Sequence, residues 1–251
     1  AVTTRLREAS RTKKGAHWLR RRFPYKRGML YFTQPSSRTY TSFLSAMQNL
    51  GMMTTEVRDP SMSSEKKGET PLDSLRTFSS YADVIVVRSP IGGLVAKAAE
   101  YLDTTPRPVP IINAGSGADE HPTQALLDIY TLERSFRKHG GIGGKTLVLV
   151  GDLARGRTVR SLAKLMRHYP HTRLILVSPP EFRMRKDIRS FLGKHNIPFE
   201  ETTDFNAAVR AADAVYMTRI QDEHDGTNGA SAKVDIRRFC FKPKHLKMLG
   251  P

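Results

Sequence analysis

Polar and apolar positions alternate in blocks from residue 28 onward. Short runs at 28–32, 54–58, 84–88, 110–113, 146–151, 173–177 and 214–217 are rich in β-branched and large apolar side chains, and each predicts a strand. The stretches between them carry apolar residues at helical spacing, as Phe43, Met47 and Leu50 do within 39–50. Further helices are predicted at 71–80, 93–102, 123–136, 158–167 and 205–211. Strands alternating with helices imply parallel sheets, because a parallel pair needs a crossover connection. The Gly-rich stretch His139-Gly140-Gly141-Ile142-Gly143-Gly144 interrupts this rhythm after four strands. The expected fold is therefore α/β in two domains, 1–138 and 139–251, each a parallel β-sheet flanked by helices. No internal repeat or low-complexity tract is present.

Composition narrows the class. A hydrophobic fraction of 39% over 251 residues fits a soluble globular chain and is too high for a disordered one. No apolar run approaches the roughly 18 residues that span a bilayer. Cys240 is the single cysteine, so no internal disulfide can form, and no Cys/His spacing resembles a zinc site.

Charge changes the picture more. Of the net +17, residues 1–27 supply +9, with ten Lys/Arg against Glu8 alone, and residues 233–251 supply +5. The middle of the chain has the charge of an ordinary enzyme. The two ends read either as solvated, partly disordered tails or as contacts for a polyanion such as RNA or an anionic membrane. The first segment is also acid-poor and Arg-rich in the manner of an organelle transit peptide. The expected compartment is the cytoplasm, with mitochondrion or plastid as the alternative.

The candidate chemistry begins at the first apolar run. It passes through Thr33-Gln34-Pro35 into Ser36-Ser37-Arg38-Thr39 and then directly into a helix. Backbone N–H groups, three hydroxyls and a guanidinium thus gather at a helix N-terminus, where the dipole favours an anion such as phosphate. The same residues also suit a plain N-cap. From the loop alone the two readings stay open.

Further motifs bear on the choice. Lys66-Lys67-Gly68-Glu69-Thr70, Val87-Arg88-Ser89-Pro90, Asn113-Ala114-Gly115-Ser116-Gly117 and His121-Pro122-Thr123-Gln124-Ala125-Leu126-Leu127-Asp128 follow the loop in that order. Gly151-Asp152-Leu153-Ala154-Arg155-Gly156-Arg157-Thr158-Val159 and Tyr216-Met217-Thr218-Arg219-Ile220-Gln221 follow in the second half. In residues and order, about 28–224 resembles the aspartate/ornithine transcarbamylase family.

The resemblance implies the transcarbamylase fold and transfer of the carbamoyl group of carbamoyl phosphate to the amine of L-aspartate, in pyrimidine biosynthesis. It implies that Ser36, Ser37, Arg38 and Thr39 hold the phosphate, and that Arg88, His121 and Thr39 donate to the carbonyl oxygen. Gln124 would bind the carbamoyl NH2, and Lys67 would reach phosphate and acceptor, in the family from a neighbouring subunit of a homotrimer. Arg157, Arg219 and Gln221 would clamp the carboxylates of aspartate, a task that suits planar guanidinium forks. An ornithine enzyme typically shows Ser-Met-Gly where this chain has Thr218-Arg219-Ile220-Gln221. The family needs no metal and no cofactor.

Several positions depart from the family pattern. Gln34 replaces a Glu, Ser89 a His, Ser116 an Asp, and His224 an Arg. The chain closes at Lys247-Met248-Leu249-Gly250-Pro251, where the family continues into His-Pro-Leu-Pro-Arg, so the second domain is expected to be truncated. Two readings remain open. One is an active aspartate-specific transcarbamylase. The other is a degenerate homologue serving as a structural or RNA-contacting component of a large assembly, such as an organellar ribosome, through residues 1–27 and 233–251.

Overall fold

The computed structural model describes residues 2–59, 67–117, 120–221 and 235–249. The chain divides into two compact units, Ala1–His121 and Pro122–Pro251. The first contains α1 (Val2–Ser10), α2 (Lys13–Arg20), β1 (Arg27–Phe32), α3 (Ser37–Asn49), β2 (Met53–Val57), α4 (Pro71–Ser79), β3 (Val84–Ser89), α5 (Leu94–Asp103) and β4 (Ile111–Ser116). Its strands pair in parallel in the order β2-β1-β3-β4.

Side chains alternate across this sheet as a two-residue period demands. Met29, Tyr31, Ile85 and Val87 face α4 and α5, in a cluster with Leu75, Val95, Ala98 and Leu102. Leu30, Phe32 and Val86 point the other way and pack with Met47 of α3. Burial on both faces explains why these strands read as continuous apolar runs.

The basic segment before β1 is helical. Thr12 caps α2 by accepting from Gly15 N at 3.0 Å, and Leu19 is buried. Gly15 lies so close to Ala9 that a Cβ there would meet its carbonyl oxygen at 2.2 Å. Of the two readings of this end, a partly disordered tail or a polyanion contact, the structure shows a segment folded as α1 and α2.

The second unit contains α6 (Pro122–Ser135), β5 (Thr146–Val150), α7 (Arg157–Leu165), β6 (Arg173–Val177), α8 (Lys186–Lys194), β7 (Phe199–Thr202), α9 (Phe205–Arg210), β8 (Ala214–Met217) and α10 (Pro243–Leu246). The parallel order is β7-β6-β5-β8. Leu147, Leu149, Leu174 and Leu176 pack with α6, α7 and α8, while Val148, Val150, Ile175 and Val177 pack with α9. By compactness α6 belongs with this unit, because Ala125, Ile129 and Leu132 join its core. The Gly-rich stretch then lies within the unit, between α6 and β5.

β7 escapes the apolar pattern. It is an edge strand, and Glu200 and Glu201 pair with Arg173 at 2.7 Å and Arg189 at 3.2 Å, so solvated charge replaces hydrophobic alternation. Among the described residues no helix is long and apolar enough to cross a membrane.

Two outcomes test this packing. Leu149→Ala, at a fully buried central-strand position, should lose about 2–5 kcal/mol in urea unfolding followed by circular dichroism. The second concerns α7 and α8, joined by buried Arg160 donating to Asp187, with Nη1 at 3.1 Å. That hydrogen bond holds the Asp187 carboxyl below its ordinary pKa. A depressed folded pKa contributes stability above the unfolded carboxylate value of about 3.9 and loses it as pH falls through the folded value. Stability should therefore fall more steeply below about pH 4 in the native chain than in Asp187→Asn.

Candidate active site

In the first unit the chain leaves β1 toward β2 on one side and later returns to β3 on the other. Strand order reverses between β1 and β3, and in such sheets ligands bind off the C-terminal strand ends at that point. The two candidate elements meet there. Thr33 N and Gln34 N, just past β1, both donate to the Arg88 carbonyl near the end of β3, at 2.9 and 3.3 Å.

The N-cap residue of α3 is Ser36, in extended backbone at φ −168°, and its hydroxyl makes no capping bond. The Ser36 hydroxyl is not used to terminate the helix, so it is available to an anion along with the first-turn amides. Ser37 and Arg38 are exposed and Thr39 is half-buried. An open hollow of about 410 Å³ lies over Ser37, Arg38, Thr41, Ser42 and Ser45.

Behind the loop, Arg88 is 6% exposed. Its Nη1 donates to the Ala114 carbonyl at 3.0 Å and lies 3.4 Å from Nε2 of buried His121. A guanidinium only donates, so as a hydrogen bond this contact has Nε2 accepting, in the tautomer with the ring proton on Nδ1. The structure thus brings together two residues 33 positions apart for which the resemblance implies a shared partner.

Two departures from the family pattern share a role. Ser89 Oγ accepts from Ile91 N at 3.1 Å, and Ser116 Oγ donates to the Ile91 carbonyl at 3.2 Å. Both hydroxyls hold the same residue in the turn after β3, and Gly117 N adds a bond to the Ser89 carbonyl at 2.9 Å. Lys67 is exposed. Lys66 and His224 lie outside the described residues.

In the second unit strand order reverses between β5 and β8. The loop after β5 carries Asp152 and leads to Arg157, the first residue of α7; the segment after β8 carries Arg219 and Gln221. Asp152 is fully buried and joins the two. Its carboxylate accepts from Arg155 N at 3.0 Å, Arg155 Nε at 2.6 Å and Gln221 N at 3.3 Å. Gly151, at φ +116°, allows the backbones to approach, since a Cβ there would meet the Thr218 carbonyl oxygen at 2.2 Å. Arg157 is half-buried, and exposed Arg219 places Nη1 3.0 Å from the Ile220 carbonyl.

Gln124 also belongs to the second unit. Its Nε2 donates to Asp128 at 3.0 Å, and the Tyr216 hydroxyl donates to the other carboxylate oxygen at 3.0 Å. Burial raises the Asp128 pKa against the pull of these two donors. Burial foremost, with the Asp128 charge beside it, pushes Tyr216 up to about 12. Asp128, Asp152 and Tyr216 drew no role from the sequence, although all three stand inside the quoted motifs. The available signal was an acidic or phenolic side chain adjoining a candidate ligand.

Known proteins resemble the chain along nearly its whole length. The family model for the aspartate/ornithine carbamoyltransferase carbamoyl-P binding domain matches residues 2–134, and that for the Asp/Orn binding domain matches 143–251. The chloroplastic aspartate carbamoyltransferase of Oryza sativa is 41% identical over 88% of this chain and 61% of its own length. The catalytic subunit from Thermococcus gammatolerans is 42% identical over 90% of this chain and 67% of its own. The chloroplastic Arabidopsis thaliana protein is 44% identical over 78% and 48%. The chain thus spans about half to two thirds of the length of these curated relatives. Among solved structures, Trypanosoma cruzi aspartate transcarbamoylase in complex with carbamoyl aspartate and phosphate superposes with TM-score 0.79 at 30% identity, covering 99% of this chain and 76% of that one. The M. jannaschii catalytic subunit gives 0.72 at 37% identity, covering 92% and 74%. With both domain models matched in order and relatives above 40% identical, the chain belongs to the aspartate/ornithine carbamoyltransferase family.

Proposed function

We propose that this chain transfers the carbamoyl group of carbamoyl phosphate to the amine of L-aspartate, releasing carbamoyl aspartate and phosphate in pyrimidine biosynthesis. The observation that carries this reading is the buried Arg88–His121 pair behind a Ser36-Ser37-Arg38-Thr39 helix start whose cap hydroxyl is unspent. In this reading the four loop residues hold the phosphate. Arg88 and Thr39 donate to the carbonyl oxygen, and His121 donates to it in the tautomer that carries the ring proton on Nε2, once that nitrogen no longer accepts from Arg88. Gln124 takes the carbamoyl NH2.

The aspartate amine attacks the carbonyl carbon. Negative charge develops on the carbonyl oxygen, where preorganised donors in a dry site stabilise it far better than water does. The C–O bond to phosphate then breaks, and the amine proton leaves with the phosphate. Arg157, Arg219 and Gln221 hold the two carboxylates of aspartate, and Asp152 fixes the backbone of Gln221. Aspartate rather than ornithine is favoured because a second amine would meet Arg219 where a carboxylate would be welcomed. A solved relative from Trypanosoma cruzi carries carbamoyl phosphate and aspartate together, at 29% identity and TM-score 0.80.

Lys67 serves the site of a neighbouring copy in a homotrimer, a role that its exposure permits. The reading as a structural or RNA-contacting component has no support among the relatives, which are carbamoyltransferases. The family models take in residues 2–27 and 235–249, so the cations there belong to the two family domains rather than to appended tails. Among the expected compartments, the plastid has the support of the chloroplastic plant relatives.

Phosphate release from carbamoyl phosphate plus aspartate tests the reading. Arg38→Ala should lower kcat/KM by at least about 10²-fold, the cost of removing one preorganised donor. Arg219→Ala should raise KM for aspartate by about 10–100-fold, the range for one charged hydrogen bond. Turnover that survives Arg38→Ala would contradict the phosphate-loop assignment.

A further inference from the structure

The carboxylate of Asp128 sits at the centre of a hydrogen-bonded chain that joins three elements of the second unit. Gln124 Nε2 reaches it from one turn earlier in α6, at 3.0 Å. The Tyr216 hydroxyl reaches it from β8, also at 3.0 Å. Thr158, in the first turn of α7, lies beside the Tyr216 hydroxyl. Asp128 also borders a largely apolar hollow of about 210 Å³, walled by Leu132, Leu147, Leu149 and Leu162. A half-buried acid against leucines is costly unless its oxygens are bonded. Here both oxygens accept a donor, and the geometry admits only one arrangement of each partner.

An ionised carboxylate can only accept. Gln124 must therefore turn its NH2 toward Asp128, which leaves Oε1 as the amide atom presented elsewhere. Tyr216, whose hydroxyl stays protonated to high pH, locks the carboxylate against rotation. A glutamine amide free to flip would offer an acceptor and a donor with comparable ease. One held in this way offers an acceptor only. An acceptor is what the NH2 of a carbamoyl group needs, whereas a ligand without that NH2 gains nothing from it.

We propose that Asp128 is a positioning residue that fixes the amide of Gln124, with Tyr216 as its anchor, so that Oε1 selects the NH2 of carbamoyl phosphate over phosphates lacking it. This rests on the assignment of Gln124 to the carbamoyl group. Asp128 itself does not touch substrate.

The test compares two ligands that differ at one group, carbamoyl phosphate and acetyl phosphate, which carries CH3 where the other has NH2. Binding to the full chain is measured for each. Asp128→Ala should weaken carbamoyl phosphate about tenfold, the loss of roughly one net hydrogen bond, and leave acetyl phosphate unchanged. Asp128→Asn should restore most of the loss, since its amide oxygen still accepts from Gln124 and its NH2 can donate to the Tyr216 oxygen. Tyr216→Phe should give a smaller loss, again confined to carbamoyl phosphate, and serves if Asp128→Ala does not fold. Equal weakening of both ligands, or no weakening of either, would overturn the proposal. A native chain that binds the two ligands equally would overturn the Gln124 assignment itself, and this proposal with it.

Discussion

Two parallel strands cannot be joined by a tight turn; the chain must cross back over the sheet before it can run the same way again. Every strand pairing in both units is of this kind. All strand-to-helix loops of a unit therefore emerge at one edge of its sheet. Where the crossovers change direction, between β1 and β3 and again between β5 and β8, adjacent loops diverge and leave room. The Ser36–Thr39 segment and Arg88 occupy the first of these places; Asp152, Arg157 and Arg219 occupy the second. The site chemistry follows from that constraint on strand direction, and the apolar runs that build the strands are its precondition.

Polar groups at these edges lie deep. Arg88, His121 and Asp152 are each buried, and each has partners on a different element. Buried charge is weak evidence of stabilisation, because the desolvation cost offsets much of the pairing energy. Its value is geometric. A guanidinium that donates to the Ala114 carbonyl and a carboxylate that accepts from three N–H groups are held in place, so neither side chain is free to relax toward solvent. Asp128, Tyr216 and Gln124 extend the same logic to a neutral amide.

Much of this was legible in the residues. Apolar runs such as Val84 to Val87 located the central strands because burial on both faces removes any polar alternation. The helix-start loop and the motifs after it located the candidate ligands. β7 was not legible, since an edge strand with Glu200 and Glu201 satisfied by arginines carries no apolar signal. The helical basic segment was not legible either. Its folding rests on Leu19 and on the approach of Gly15 to Ala9, while ten cations dominate its composition. The placement of α6 with the second unit turns on contacts of Ala125, Ile129 and Leu132 with residues far along the chain, which no local pattern records. The pairing of Ser89 and Ser116 on Ile91 is of the same kind: two hydroxyls 27 positions apart acquire a shared purpose only once β3 and β4 lie side by side.

The proposed reaction takes aspartate as its acceptor. Product analysis tests it most directly: ¹³C-labelled carbamoyl phosphate is supplied with equal aspartate and ornithine, and the labelled product is identified by NMR. Carbamoyl aspartate alone is the expected product. Label appearing in citrulline, or in neither product above the rate without protein, would contradict it.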